Sequence, residues 1–150
     1  MKNSAEWLME HLSDIYDKNP YLKLLGMDIV KLEEGYAEIS MPIIENKHTN
    51  LYNIAHGGAI ASLADTIMGV ACATVGKKVV TLEMNMNFIK AVPPQAAIRG
   101  IGKITHNGKS TMVAEGQLFD GENNLIGTSR GTFFVIGQFE KKAMTSSCIK

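Results

Sequence analysis

The chain has 150 residues, of which 45% are hydrophobic and 20% charged, with 15 basic and 15 acidic side chains. That length suits a single domain, 1–150, with its own apolar core. Zero net charge excludes a nucleic-acid binder, whose affinity rests on surplus cations.

The start is polar, with Lys2, Glu6 and Glu10 and no apolar run behind a basic stretch, so no signal peptide is expected. Asn3 is a candidate N-cap with Glu6 three residues later. Trp7, Leu8, His11, Leu12 and Ile15 recur at helical spacing, which predicts an N-terminal helix over 1–18 that Pro20 stops. Met27–Leu32 and Tyr36–Met41 read as two strands joined at Glu33-Glu34-Gly35. A polar, irregular segment leads from there to Ala55.

His56-Gly57-Gly58 then opens a long helical pattern, with Ile60, Leu63, Ala64, Ile67, Ala71 and Val75 on one stripe and Gly76 as its stop. The other side is small and weakly polar, so protein is expected on both sides of this helix: a sheet on one and a second subunit on the other. Its apolar stretch is short for a membrane span and carries Asp65, so no membrane partner is expected. Val80, Leu82, Met84, Met86 and Phe88 alternate with polar residues as in a strand. Ala97–His106 and Lys109–Phe119 flank Asn107-Gly108, a tight hairpin signal, and Leu125–Ile136 is the last strand. Residues 140–150 read as a frayed tail. Short loops make the late strands antiparallel, and the order predicts an α+β domain with a central apolar helix. Cys72 in the helix and Cys148 in the tail are expected to stay reduced in a cytoplasmic protein.

Asp65 is the only formally charged side chain between Lys47 and Lys77. A carboxylate in an apolar helix costs several kcal/mol unless it is paired, hydrogen-bonded or protonated. It is either a structural group bonding a neighbour such as Ser62, or a catalytic one. His56-Gly57-Gly58 sits where a helix presents unpaired N–H groups and a partial positive charge, a natural oxyanion hole. His56 and Asp65 are nine residues apart, about 13 Å of rise and half a rotation. They cannot meet at one atom within one chain, so a functional pair requires sites shared between two copies in a symmetric dimer.

The string Asn50-Leu51-Tyr52-Asn53-Ile54-Ala55-His56-Gly57-Gly58, followed by Leu63-Ala64-Asp65-Thr66, resembles the hotdog-fold thioesterases of the PaaI-like (phenylacetyl-CoA thioesterase-like) family. The likeness runs from about Asn19 to Gly137. It implies a hotdog fold, in which an antiparallel sheet wraps a long helix, paired into homodimers and often homotetramers, with neither metal nor cofactor beyond the coenzyme A of its substrate. It implies hydrolysis of acyl- or aryl-acyl-CoA, with Asp65 activating water or attacking the thioester and Gly57 donating to the carbonyl. Asn50 and His56 match the pair that holds the thioester, and Thr81 matches a hydroxyl beside the attacking water. Gly58 and Phe88 are expected against the substrate, and Lys109 and Arg130 near CoA phosphates. A hydratase of the same fold is an alternative, but its usual aspartate–four residues–histidine spacing is absent around Asp65. A non-catalytic acyl-CoA-binding module would keep the pocket without needing the base.

Overall fold

The computed structural model describes residues 4–141. In chain order the elements are α1 (Ser4–Asp17), α2 (Pro20–Leu25), β1 (Asp28–Glu33), β2 (Tyr36–Pro42), α3 (Gly57–Ala73), β3 (Lys77–Phe88), β4 (Ala97–Asn107), β5 (Thr111–Phe119) and β6 (Leu125–Gln138). The strands form one six-stranded sheet in the order β1-β2-β4-β5-β6-β3, with every pairing antiparallel. The sheet wraps α3, and this is the hotdog architecture that the family resemblance implies. No helix among the described residues is long and apolar enough to cross a membrane. Asn3, Cys148 and most of the 140–150 tail lie outside the described residues.

Pro20 does not simply stop a helix; it starts one. Asn19 caps α2, its Oδ1 accepting from the amides of Tyr21 (2.9 Å) and Leu22 (3.4 Å), and Pro20 takes the first helical position, where a missing N–H costs nothing. Gly26, at φ 70°, closes the turn, with the Met27 amide returning to Leu22 O at 2.9 Å. At the other end of the fold, α3 ends at Ala73, short of the expected Gly76. Thr74 is responsible: its hydroxyl donates to Ala71 O at 2.6 Å and accepts from the Gly35 amide at 2.8 Å, tying the helix end to the β1–β2 turn.

The β4–β5 connection is also longer than the expected two-residue turn. Gly108, Lys109 and Ser110 lie between the strands, and Gly108 is not at positive φ, which a type I′ turn requires. Lys77 reaches over from β3 and donates to both Asn107 Oδ1 and Gly108 O, so the asparagine serves this cross-link.

The core lies between α3 and the concave face of the sheet. Leu63, Ala64, Ile67, Met68 and Ala71 of the helix meet Ala37, Ile39, Met41, Ile98, Met112, Ala114, Leu118 and Phe133, all fully buried. Contact is closest at Ile67, which sits over Gly100, Gly102 and Gly116. A Cβ on Gly102 would lie 2.6 Å from the Ile67 carbonyl carbon, with helix backbone as the obstacle. Gly102→Ala is therefore expected to destabilise the protein by about 3 kcal/mol or more, the upper range for overpacking. Gly121→Ala, with open space around it, should stay within about 0.5 kcal/mol. Paired urea titrations of the two variants check this.

Candidate active site

Asp65 lies on the side of α3 turned away from the sheet, two residues and so about 200° around from Ile67. It is half-buried. Its partner is Thr81, whose hydroxyl donates to Asp65 Oδ1 at 2.6 Å. Ser62, the alternative structural partner, is committed elsewhere: its hydroxyl donates to Gly58 O at 2.8 Å.

Thr81 faces the helix because β3 carries a bulge. Its pairing with β6 shifts between Thr81 and Glu83, leaving Leu82 as the extra residue. Val79 and Thr81 therefore point inward opposite Val135 and Phe133, and after the bulge Met84 and Met86 take over the inward phase opposite Gly131 and Ser129. The sequence alternation suggests that Val80 and Leu82 share a face with the methionines. They are instead 46% and 58% exposed, on the open edge of the sheet.

At the start of α3, His56 is the N-cap and its Nδ1 accepts from the Gly58 amide at 2.8 Å. That bond assigns the ring proton to Nε2, which is left to face outward from an exposed side chain. The amides of Ala59 and Ile60 return to His56 O. The Gly57 N–H alone in this turn has no protein partner among the described residues, so it is the donor available to a developing oxyanion. The Phe88 ring packs on Gly57, 3.5 Å from where a Cβ would stand. Gly57, Phe88, Ile60, Ile89 and Lys90 line an apolar cavity of about 270 Å³.

Asn50 sits in the loop that delivers His56. Its Oδ1 accepts from the amides of Tyr52 (2.9 Å) and Ile54 (3.3 Å), and a Thr49–Ala55 bridge closes the loop. The turn throws Leu51 and Tyr52 outward, 97% and 81% exposed. Beneath it lies His48, which nothing in the sequence singles out. It is buried, accepts at Nδ1 from the Ile44 amide (2.9 Å) and donates from Nε2 to Leu25 O (2.9 Å), clamping the loop to the end of α2.

The remaining sequence candidates separate from these groups. Arg130 is exposed on the outer face of the sheet, in register with Glu115 and Asn85, and Lys109 is exposed in the β4–β5 turn. Neither lines the cavity at Gly57 or a second cavity of about 200 Å³ at Asp65. The cation at the Gly57 cavity is Lys90, held 3.0 Å from Asp120. The Asn124 side chain, then Lys90 and the backbone amides of Asn124 and Glu122, draw the Asp120 carboxyl well below the usual range. Cys72 is buried in α3, and that burial pushes its thiol up to about 12, which makes it inert. No group of His, Cys, Asp and Glu among the described residues is arranged to hold a metal.

The geometry thus yields two half-sites per chain. One holds a carboxylate with a hydroxyl partner, suited to accept a proton. The other holds a free amide at a helix N-terminus, suited to stabilise an oxyanion. The two cavities share no lining residue.

The profile of the thioesterase superfamily matches residues 52–126, half of the chain. The acyl-coenzyme A thioesterase PaaI of Escherichia coli is 27% identical over 123 residues, 82% of this chain and 87% of that protein. The solved structure of E. coli PaaI superposes with a TM-score of 0.84, covering 90% of this chain and 97% of its own at 24% identity. A hypothetical thioesterase from Streptococcus pneumoniae, solved with coenzyme A, is 28% identical with a TM-score of 0.73, covering 76% and 91%. That protein was also solved with single alanine replacements of an aspartate and of a threonine sixteen positions apart, the separation of Asp65 and Thr81.

The His48 clamp gives a pH prediction. Burial lowers its pKa below the ordinary 6.5, with Lys47 adding to the effect and the bond to Leu25 opposing it. The folded state therefore resists a proton that the unfolded state accepts. The clamp's contribution is complete above about pH 6.5 and is lost progressively as pH falls from there toward the lowered folded value. The difference in melting temperature between wild type and His48→Gln should be largest at pH 8 and narrow as pH falls toward 5. A constant difference across that range would show that His48 is not the titrating group.

Proposed function

The chain belongs to the thioesterase superfamily, and we propose that it hydrolyses acyl-coenzyme A to the free acid and coenzyme A, in the cytoplasm, with Asp65 as its base. The observation that carries this reading is the Thr81–Asp65 hydrogen bond, 2.6 Å, on the helix whose first turn leaves the Gly57 amide open. PaaI supplies the precedent for acyl-CoA as substrate and the S. pneumoniae protein the precedent for binding coenzyme A.

In this reading a water lies between Asp65 and the thioester. Thr81 fixes one carboxylate oxygen, and the other takes the proton as the water oxygen attacks the carbonyl carbon. Charge developing on the carbonyl oxygen falls on the Gly57 N–H, strengthened by the helix dipole, with the His56 Nε2–H and the Asn50 amide beside it. Collapse expels the coenzyme A thiolate, a good leaving group, and the proton passes from Asp65 to that sulfur. The apolar cavity under Phe88 receives the pantetheine arm, and Lys90 is the cation at its mouth for phosphate.

Both halves of the site act on one thioester only if two copies combine. β3 is a twelve-residue edge strand without proline, with Val80 and Leu82 exposed, and it lies beside the half-covered face of α3. Pairing β3 with its own copy about a two-fold axis extends the sheet and sets the two α3 helices antiparallel. An axis passing near Ala61 places Asp65 of one copy opposite Gly57 of the other, giving two equivalent sites per dimer.

Asp65→Asn should lower kcat by about a hundredfold or more, the scale of a positioned base, whereas Thr81→Val, which keeps the carboxylate, should cost less, about tenfold. Turnover of Asp65→Asn near wild type, measured by thiol release from acyl-CoA, would sink the assignment.

The shared site has its own test. His56→Ala and Asp65→Asn are each expected to be nearly inactive, while a mixed dimer holds one site with both residues intact. Random mixing should restore up to about a quarter of wild-type activity, since half the dimers are mixed and each has one good site. Purified mixed dimers no more active than their parents would refute the two-fold geometry.

A further inference from the structure

The turn between β5 and β6, Asp120 to Asn124, is built around one carboxylate. Asp120 Oδ1 accepts from the Glu122 amide (3.0 Å), the Asn124 amide (2.9 Å) and the Asn124 side chain (3.2 Å), and Oδ2 accepts from the Asn124 side chain (3.0 Å). An aspartate that bonds the amide two residues on folds its own turn. The main chain closes the same loop: the Asp120 amide donates to Asn124 O (3.0 Å), and Asn123, at φ 62°, donates to Asp120 O (3.1 Å). From outside, Arg99 lies over the Phe119 ring and donates to Asn123 Oδ1 at 3.1 Å. The Asp120 carboxylate is therefore a fixed point.

That fixed point also holds Lys90, whose ammonium donates to Asp120 Oδ2 at 3.0 Å. The lysine backbone is tied to the start of β6, since the amides of Ile89 and Lys90 both donate to Ile126 O, at 2.8 and 3.2 Å. Root and tip of the side chain are thus anchored on one short stretch of chain. The partners are unequal. The Asp120 side chain is 15% exposed and already serves the turn, whereas the Lys90 side chain is 50% exposed and has three donors to offer. An ion pair at such exposure adds little stability, so stability does not account for it. The pair does account for where the ammonium stands, at the rim of the Gly57 cavity.

We propose that Asp120 is a positioning residue for coenzyme A, holding the Lys90 ammonium at the cavity mouth where it meets a phosphate. The inference rests on the thioesterase reading and adds a residue that touches no substrate atom. A free lysine spreads over many rotamers, and ordering it when the ligand binds weakens affinity by about threefold to tenfold. Asp120 orders it beforehand. A carboxylate this near also repels phosphate, but its charge is shared among the donors of the turn and screened by salt at an exposed rim. The two effects have opposite signs, so the sign of one substitution decides between them.

That substitution is Asp120→Asn, which keeps an acceptor for the turn and removes the charge that holds Lys90. Titration calorimetry on the full chain compares coenzyme A with pantetheine, which lacks the phosphates. Asp120→Asn should weaken coenzyme A binding by about fivefold and leave pantetheine within about twofold. Its melting temperature should stay within about 3 °C of wild type. Lys90→Gln should weaken coenzyme A by about tenfold, the scale of one charge-assisted contact. Because Asp120 acts through Lys90, the double variant should bind no worse than Lys90→Gln alone. For benzoyl-CoA, Asp120→Asn should raise KM and hold kcat. Binding of coenzyme A as tight as wild type or tighter in Asp120→Asn, an equal loss for pantetheine, or a full further fivefold loss in the double variant would overturn the proposal while leaving thioester hydrolysis standing. A wild type that binds coenzyme A no better than pantetheine would overturn it too. The expected binding pattern without hydrolysis of acyl-CoA would instead count against the thioesterase reading alone.

Discussion

The close seat of Ile67 on β4 and β5 constrains the rest of the molecule. Gly100, Gly102 and Gly116 remove side chains where the helix crosses, so Ile67 rests almost on strand backbone. Packed cores are not continuously deformable, and with three glycines under one residue the helix can neither rotate nor slide far. Its azimuth is then fixed, and so is the identity of the residues on the far side: Ser62, Asp65, Thr66 and Gly69. A polar face is tolerable there because the sheet does not cover it. The carboxylate is only half-buried in the single chain and has a hydroxyl partner, which reduces the cost that a fully interior charge would carry.

The bulge at Leu82 solves a second problem. β3 must bring a hydroxyl to Asp65 near its start and still cover the core with Met84 and Met86 further on. A regular strand cannot place Thr81 and Met84 on one face, because residues an odd number apart point oppositely. One extra residue reverses the phase. The same stretch leaves Val80 and Leu82 exposed, so the edge strand beside the Asp65 half-site carries uncovered apolar side chains. The proposed chemistry and the proposed pairing of two copies both draw on this local irregularity.

The helix seat and the bulge mark what a sequence discloses and what it hides. The long helix, its buried stripe and the lone Asp65 are legible because helical periodicity over seventeen residues has few rivals. The strands are legible in outline from turn residues and alternation. The phase of β3 is not, since a bulge leaves perfect period two in the sequence while shifting the structure. Pro20 misleads because the same residue that ends one helix can open the next, and only the capping Asn19 distinguishes the two. Asn107-Gly108 misleads because Lys77, thirty residues away, engages the turn. His48 is invisible for a similar reason: both its partners are backbone groups, which carry no sequence signature. Resemblance places Arg130 near the substrate, and strand parity puts it on the outer face of the sheet. Lys90 stands at the Gly57 cavity with nothing in its neighbours to announce it.

The His56-Gly57-Gly58 triplet shows how three adjacent residues divide the work of one helix end. His56 satisfies one of the orphan amides through its ring and two more through its carbonyl. Gly58 permits that arrangement, because a Cβ on it would press to 3.1 Å on the His56 Nδ1 that must reach its amide. Gly57 has a different reason to be glycine. Phe88 lies against it, and a ligand approaching its amide must pass beside that ring. With one donor left free and the others consumed, the helix start offers a single directed N–H in an apolar setting instead of a diffuse positive patch. That geometry selects for one oxygen atom at one point, the demand of a tetrahedral oxyanion, and would serve poorly for a phosphate, which needs several donors at once.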